Sequence, residues 1–170
     1  FYLVYFWRCR ASSASETPPR VLDDSSRQAL SDLPRIGDAD EPQRDRKIVN
    51  FTFPASWCPP CRWEFESLIA LRRKFGEKDL VIITINRFED WDPRNAKKRM
   101  NRFLEITCTE FSLVSVDTAI TELFGRIECI PTLLVFDRSG REAFTFVNLE
   151  GAKKIHARES ELTRVVEKLR

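Results

Sequence analysis

The sequence has little of several features that characterise whole classes of protein. Its 170 residues include only five glycines, one methionine and one histidine, and no segment repeats at a fixed period. Scarce glycine disfavours a flexible or repetitive protein. The formal net charge is only +2, and no basic stripe alternates with aromatic residues, which argues against nucleic-acid binding. We therefore interpret the cluster Lys97-Lys98-Arg99 as a solvated helix face.

No hydrophobic run reaches the roughly 20 residues that span a bilayer. The longest candidate is at the start, where residues 1–7 are all apolar or aromatic. This run is consistent with the end of an export or anchor segment, or with a strand or a disordered end. We interpret residues 1–46 as this apolar start followed by a flexible linker with at most one short helix. The folded domain is predicted to occupy residues 47–170.

Within that domain, apolar runs alternate with stretches of helical periodicity. Residues 48–53 and 80–85 are apolar runs typical of buried strands. Gly76 ends a helical pattern between them. That pattern consists of Phe65, Leu68, Leu71 and Phe75.

The predicted order of elements is β, α, β, α, β, α, β, β, α. The third helix is placed near residues 118–124, and residues 137–140 form the turn of a closing hairpin. The alternating first part is typical of parallel βαβ units, and the end is typical of antiparallel strands. We predict an α/β fold whose mixed central β-sheet is flanked by helices on both faces.

Cys58 and Cys61 enclose two prolines between the first predicted strand and the helix that follows. This position makes Cys58 the N-cap, where the helix dipole and free N–H groups favour a thiolate. Cys61 lies one turn further on, close enough to form a disulfide. A CxxC beside a βαβ pattern is typical of thioredoxin-like redox motifs. In such chemistry the Cys58 thiolate attacks a substrate disulfide and Cys61 resolves the mixed disulfide.

Other interpretations of the cysteines need partners that the sequence does not offer. A zinc site needs further ligands at a spacing such as a second CxxC, whereas Cys108, Cys129 and His156 are scattered. A purely structural bridge between Cys58 and Cys61 would constrain little chain. We expect no metal, and no cofactor besides the redox-active disulfide of this pair.

The motif WCPPCR at residues 57–62, followed by Glu64, resembles the TlpA/ResA class of thiol–disulfide reductases in the thioredoxin superfamily. Tryparedoxins and nucleoredoxins share a similar motif. Residues 130–132, followed by an apolar strand, resemble the cis-proline loop of the superfamily. The resemblance covers about residues 47–170 and implies a thioredoxin fold.

The resemblance also implies roles for individual residues around the thiols. Pro131 would be cis and pack beside the first cysteine, and the Ile130 backbone would pair with substrate. Trp57 would form a flat hydrophobic surface there, or a partly buried core aromatic. Pro59 and Pro60 would complete the active-site turn.

Two positions depart from the superfamily pattern. Thr52 stands where thioredoxin has a buried acid, so no carboxylate is placed there to take the Cys61 proton. Glu64 is a candidate substitute; alternatively, it is solvated or paired with an arginine. Glu66 stands where the family often has a helix-kinking proline, so that kink is not expected.

Cys129 lies two residues before Pro131. It is either a small buried hydrophobic residue or an additional redox partner near the active site. The sequence assigns no role to Cys9 or Cys108.

These patterns predict a reductase of protein disulfides. It would act on a disulfide-bearing substrate protein, receive electrons from an upstream thiol reductant and work as a monomer. The resemblance implies a bacterial cell-envelope location, with an N-terminal anchor and cytochrome c maturation as one pathway. The alternatives are a cytoplasmic, tryparedoxin-like electron carrier to a peroxidase and a non-catalytic binding module. A peroxidase itself is disfavoured, because Pro54 and Thr52 are wrongly placed before Cys58.

Overall fold

The computed structural model describes residues 20–32, 35–36, 47–86, 89, 93–107, 111–115, 123–125 and 127–170. The helices are α1 (Asp24–Ser31), α2 (Pro59–Asp79), α3 (Pro93–Thr107) and α4 (Glu159–Leu169). The strands are β1 (Arg35–Ile36), β2 (Ile48–Phe53), β3 (Leu80–Asn86), β4 (Ser112–Ser115), β5 (Thr132–Phe136) and β6 (Glu142–Val147). The apolar run at residues 1–7 and most of the predicted helix at 118–124 lie outside these residues.

The six strands form one sheet in the order β1-β4-β3-β2-β5-β6. The central strand β2 pairs parallel to β3 and antiparallel to β5. β4 continues the parallel side, while β5 and β6 form the predicted hairpin. The predicted mixed α/β sheet of the thioredoxin fold is therefore confirmed.

Side chains that alternate along the strands fill a separate core on each face of the sheet. The α2-side core contains Ile48, Phe65, Leu68, Leu71, Met100, Phe103, Leu133, Val135, Leu162 and Val166. The aromatic core on the other face contains Leu22, Leu30, Val49, Phe51, Phe53, Phe124, Leu134 and Phe136. Helices α2, α3 and α4 therefore cover one face, and α1 covers part of the other. Helices on both faces were predicted.

The described part of the predicted linker packs against the domain. Leu22 and Leu30 are buried in the aromatic core, and the backbone N–H of Leu22 donates to the Gly140 carbonyl at 2.7 Å. β1 pairs antiparallel with β4. The packed region therefore begins upstream of the predicted boundary at Lys47. Among the residues of this segment whose burial the structure describes, Leu22 and Leu30 are the buried apolar ones, too few to produce a periodic signal.

Helix α2 begins at the redox motif and has one break. Gly76 has a φ of 70°, a left-handed backbone conformation that glycine adopts without steric cost. The N–H of Leu80 donates to the Gly76 carbonyl there. No break occurs at Glu66, in agreement with its lack of proline. Among the described helices, none is both long and apolar enough to cross a membrane.

Candidate active site

The candidate site lies where β2 ends, α2 begins and β5 starts. Phe53, the last residue of β2, pairs with Thr132, the first residue of β5. This pairing places the loop before β5 beside the chain that leads into α2. The Ile130–Pro131 peptide bond in that loop is cis, as predicted.

Cys58 and Cys61 form a disulfide, and Cys58 is the N-cap of α2, as predicted. The Cys58 sulfur accepts from the backbone N–H of Cys61 at 3.2 Å. The side chain of Cys61 is fully buried and that of Cys58 is only 4% exposed. Ala55 and Ile130 pack against the pair, so little of Cys58 reaches the surface.

The residues around the redox pair differ in exposure. Trp57 is 42% exposed, and Pro59 is exposed beside it, whereas Pro60 is half-buried. Much of the Trp57 side chain therefore lies at the surface, next to Cys58 in the chain, and its contact with substrate stays a prediction. Pro131 is buried at the opposite side.

Glu64 is fully buried one turn beyond Cys61. Its Oε1 accepts from the Thr52 hydroxyl at 2.7 Å, and its Oε2 has no hydrogen-bond partner among the described residues. Burial raises the pKa of Glu64 to about 7, although the Thr52 hydroxyl, the backbone N–H of Ala157 and the charge of Lys154 act in the opposite direction. The alternatives of a solvated or arginine-paired Glu64 are therefore wrong. A carboxyl group with this pKa can gain or lose a proton near neutral pH.

Thr52 and Glu64 together explain why the chain lacks the buried acid that thioredoxin has at the position of Thr52. Thr52 lies on the strand where thioredoxin has its acid, and its hydroxyl holds a carboxyl group supplied by the helix. Their separation of 12 residues hides the pairing from sequence patterns. Only the position of Glu64 three residues after Cys61, on the same side of a helix, indicated it.

A family comparison agrees with this geometry. The Redoxin family model matches residues 28–165. The chain belongs to the Redoxin family. No curated protein sequence matches it significantly.

Solved structures of low sequence identity share the fold. A secreted Mycobacterium tuberculosis disulfide oxidoreductase, homologous to E. coli DsbE, has 18% identity and a TM-score of 0.58, covering 74% of this chain and 84% of its own. A Chlorobium tepidum thiol:disulfide interchange protein has 16% identity and a TM-score of 0.60, and the match covers 91% of this chain and 99% of that protein. Bacillus subtilis StoA has 16% identity and a TM-score of 0.59, and the match covers 78% of this chain and 92% of StoA.

The recognition of a thioredoxin-superfamily protein is confirmed by these findings, and the neighbours are consistent with its TlpA/ResA-like character. Family membership and the Cys58–Cys61 disulfide together support thiol–disulfide exchange as the general activity of this Redoxin protein.

Two residues that support the site were missed by the sequence analysis. The carboxylate of Glu89 is buried, and it accepts from the backbone N–H of Ser56 at 2.7 Å. Its second oxygen pairs with Arg99 Nε at 2.8 Å. Glu89 and Arg99 therefore hold the loop that leads into Cys58. The predicted solvated face is correct for Lys97 and Lys98 but wrong for Arg99.

Cys129 of this Redoxin protein is disulfide-bonded. The side chain of Cys129 is only partly buried. The interpretation of Cys129 as a small buried hydrophobic residue is therefore wrong.

His156 packs beside Trp63 of α2. Its ring centroid is 5.9 Å from that of Trp63, and burial lowers the pKa of its imidazole. Within the described ranges, no three His, Cys, Asp or Glu side chains are grouped so that they could bind a metal ion.

Proposed function

We propose that this protein is a reductase of protein disulfides, with Cys58 as the attacking thiol and Cys61 as the resolving thiol. The observation that carries this proposal is the difference between the two sulfurs. Cys58 caps the helix and keeps a small accessible surface, whereas Cys61 is fully buried behind it. Only Cys58 can meet a sulfur that arrives from outside.

The reaction takes two exchanges. The Cys58 thiolate attacks one sulfur of the substrate disulfide, forms a mixed disulfide and releases the other substrate sulfur as a thiolate. Cys61 then loses its proton and attacks the Cys58 sulfur. This step forms the Cys58–Cys61 disulfide and releases the second substrate thiolate. The substrate gains two electrons, and both released thiolates take up protons.

Glu64 is the candidate acceptor of the Cys61 proton. Both side chains are fully buried and lie on neighbouring turns of α2, where residues three apart are adjacent. Because burial raises the pKa of Glu64 to about 7, its carboxylate is a better proton acceptor than an ordinary glutamate. A proton released by Cys61 inside the protein therefore has a nearby acceptor.

The helix cap supports the direction of electron flow. Pro59 and Pro60 occupy the first two helical positions and have no N–H to donate. The Cys61 N–H is the donor to the Cys58 sulfur. A thiolate with fewer donors is stabilised less, which makes the dithiol form a stronger reductant. We expect a reduction potential nearer the thioredoxin value of about −270 mV than the DsbA value of about −120 mV.

Substrate would bind between Trp57 and the loop before β5. The Ile130 carbonyl already accepts from the Asn148 side-chain amide at 2.9 Å, and its second lone pair is available to a substrate N–H. Trp57 offers apolar surface on the other side. An extended segment flanking the substrate disulfide fits these two contacts.

The cellular setting proposed here is the bacterial cell envelope. One structural neighbour is described as secreted, and the apolar run at residues 1–7 suits an export or anchor segment. A thiol reductant upstream would return Cys58 and Cys61 to the dithiol form, and the protein would act as a monomer. A full reading frame without a longer hydrophobic stretch before Phe1 would favour the cytoplasm instead.

Insulin reduction with dithiothreitol tests the proposed activity. The wild-type protein is expected to accelerate it, and the Cys58→Ser variant should fall to the uncatalysed rate. With a disulfide-bearing substrate, Cys61→Ser should accumulate a mixed disulfide and Cys58→Ser should not. Trapping by the Cys58 variant alone would reverse the assignment. No turnover by the wild type would favour a binding module.

A glutathione redox titration tests the direction of electron transfer by the Cys58–Cys61 pair. The expected midpoint is close to about −270 mV. A midpoint above roughly −180 mV, the value of protein disulfide isomerase, would make the protein an oxidase or isomerase.

A further inference from the structure

A cleft outside the redox pair lies between the exposed side of α2 and the start of α4. Its volume is about 340 Å³, at the lower end of the range for pockets that bind small ligands. The proposed reaction uses none of the residues that line it. These residues are Trp63, Glu66, Ser67, His156 and Glu159.

The aromatic part of the lining carries no charge near neutral pH. The Trp63 side chain is 44% exposed, and the His156 ring packs beside it with 5.9 Å between the ring centroids. Burial lowers the pKa of His156, as do the charges of Arg158 and Lys154, while the charge of Glu66 acts in the opposite direction. Because an ordinary imidazole already titrates below pH 7, the His156 ring is neutral there.

The charges of the lining are all negative. Glu66 and Glu159 are exposed, and neither forms an ion pair with another residue that the structure describes. Lys154 is paired elsewhere, because it bridges to Glu161 and lies over the Phe146 ring at 4.8 Å. An exposed tryptophan ring attracts a cation to its face, and two nearby carboxylates attract it by charge. The cleft therefore suits a positively charged group.

An exposed row of residues on α2 connects the redox pair to the cleft. Pro59, Trp63 and Glu66 follow one another at helical spacing on one side of α2, and all three are exposed. With a rise of about 1.5 Å per residue, Glu66 lies about 12 Å along the helix from Cys58. An extended peptide covers that distance in about four residues. A protein segment whose disulfide meets Cys58 can therefore reach the cleft along α2.

We propose that this cleft is a substrate subsite, which binds a lysine or arginine side chain about four residues from the substrate disulfide. The inference rests on the proposed function and deepens it, because it names the class of protein that Cys58 reduces. The cation contacts the Trp63 ring and is attracted by the carboxylates of Glu66 and Glu159. Disulfides with a basic residue at this distance are the preferred substrates.

Reduction of matched peptides tests this preference. Each peptide contains a disulfide, and the members of a set differ only in carrying lysine, glutamine or glutamate about four residues from one cysteine, on either side. The wild-type protein should reduce the lysine peptide with a kcat/KM about three- to tenfold above that of the glutamine peptide, and the glutamate peptide most slowly. The rate with dithiothreitol alone corrects for differences in the intrinsic reactivity of the peptide disulfides. Equal corrected values would overturn the inference.

Two double variants show whether the cleft is responsible for the preference. Glu66→Gln combined with Glu159→Gln removes both charges of the lining and should abolish the preference for lysine. Glu77→Gln combined with Glu167→Gln is the matched control, because it removes two exposed carboxylates from the same two helices outside the cleft. The control should keep the preference. Loss of the preference in both double variants would assign it to the overall charge of the protein and refute the subsite, as would its retention in both.

Binding without chemistry separates failure of the subsite from failure of the proposed function. Oxidised wild-type protein is titrated with the lysine and glutamate peptides in which serine replaces both cysteines. The indole N–H signal of Trp63, identified by its loss in Trp63→Phe, is followed by NMR and should shift more with the lysine peptide.

A shift caused by the lysine peptide, with no reduction of any peptide disulfide, would support the cation site and refute the proposed function. Reduction of all peptides without preference, and without a shift of the Trp63 signal, would refute the subsite and support the proposed function. The absence of both reduction and a shift would refute both.

Discussion

The two faces of the central strand β2 differ sharply in chemistry. On one face, Phe51 and Phe53 enter the aromatic core, where the Phe51 ring lies 4.7 Å from that of Phe124 and 5.6 Å from that of Phe136. On the other face, Thr52 points to Glu64 at the start of α2. One strand therefore contributes packing to one side and polar chemistry to the other.

The polar face is costly to bury. Asn50, Thr84 and Glu64 each have buried side-chain atoms without a hydrogen-bond partner among the described residues. Each such group costs about 1–3 kcal/mol, whereas burying a large apolar side chain contributes about 1.5–3 kcal/mol. The comparison teaches that, along β2, the phenylalanines of the aromatic core supply favourable burial while the opposite face holds a titratable group.

The strongest test of this division is the substitution Phe51→Ala. The loss of a fully buried ring should lower the free energy of unfolding by about 3–5 kcal/mol. Urea denaturation of the oxidised protein measures this loss, and insulin reduction per folded molecule should be unchanged. A loss of unfolding free energy below about 1 kcal/mol, together with a fall in insulin reduction, would show that Phe51 contributes to activity more than to stability.

The pH dependence of stability sharpens the comparison from the polar side. Because burial raises the pKa of Glu64 from 4.5 to about 7, the folded state binds this proton more tightly than the unfolded chain. The contribution of protonated Glu64 to the free energy of unfolding is fully present below pH 4.5 and is lost as the pH rises through 7. It amounts to on the order of 3 kcal/mol in total.

Urea denaturation between pH 4.5 and pH 8 should show this decline in the free energy of unfolding of the wild type. In Glu64→Gln most of the decline should be absent. The substitution keeps the size of the side chain and removes its titration. A decline of equal size in both proteins would assign the pH dependence to other groups.

A matched pair of threonines gives the next test. Thr52 and Thr84 are register partners on neighbouring strands, but only the Thr52 hydroxyl reaches Glu64. Thr52→Val should cost about 1–3 kcal/mol above pH 7, because it removes the Thr52 hydroxyl donor from a buried carboxylate. Since that hydroxyl lowers the pKa of Glu64, its removal should also move the stability transition to higher pH.

Thr84→Val is the control, because its hydroxyl has no partner among the described residues. It should be neutral or stabilising. Equal destabilisation by the two substitutions would show that the Thr52–Glu64 hydrogen bond has no special role.

The smallest effect is expected at the loop before Cys58. Glu89→Gln keeps an oxygen for the Ser56 N–H but replaces a charged partner of Arg99, whose side chain is 22% exposed and can be hydrated. The expected loss is about 1 kcal/mol, the difference between a charged and a neutral hydrogen bond. Lys98→Gln on the exposed side should change stability by less than about 0.5 kcal/mol. Chemical denaturation at pH 7 compares the two variants. Equal losses of unfolding free energy would contradict a supporting role for Glu89.

Local features of the site could be predicted because neighbouring residues determine them. A strand, two cysteines three apart and two prolines without N–H groups are sufficient to make Cys58 the N-cap of α2. Alternation of apolar runs and helical spacing likewise predicted the mixed sheet. The linker boundary was misplaced, because the burial of Leu22 depends on a backbone contact with Gly140, more than a hundred residues away.

By itself, the sequence determined the redox motif, the order of the main elements and the two cysteines of the proposed reaction. Only the tertiary structure decided how far Cys58 is buried, which carboxyl group lies beneath Cys61 and whether Cys129 is bonded. The reason is physical: Thr52 with Glu64 and Ser56 with Glu89 are contacts between residues distant in sequence. Such contacts depend on how the sheet and helices pack, and the pKa of Glu64 depends on the water that this packing excludes.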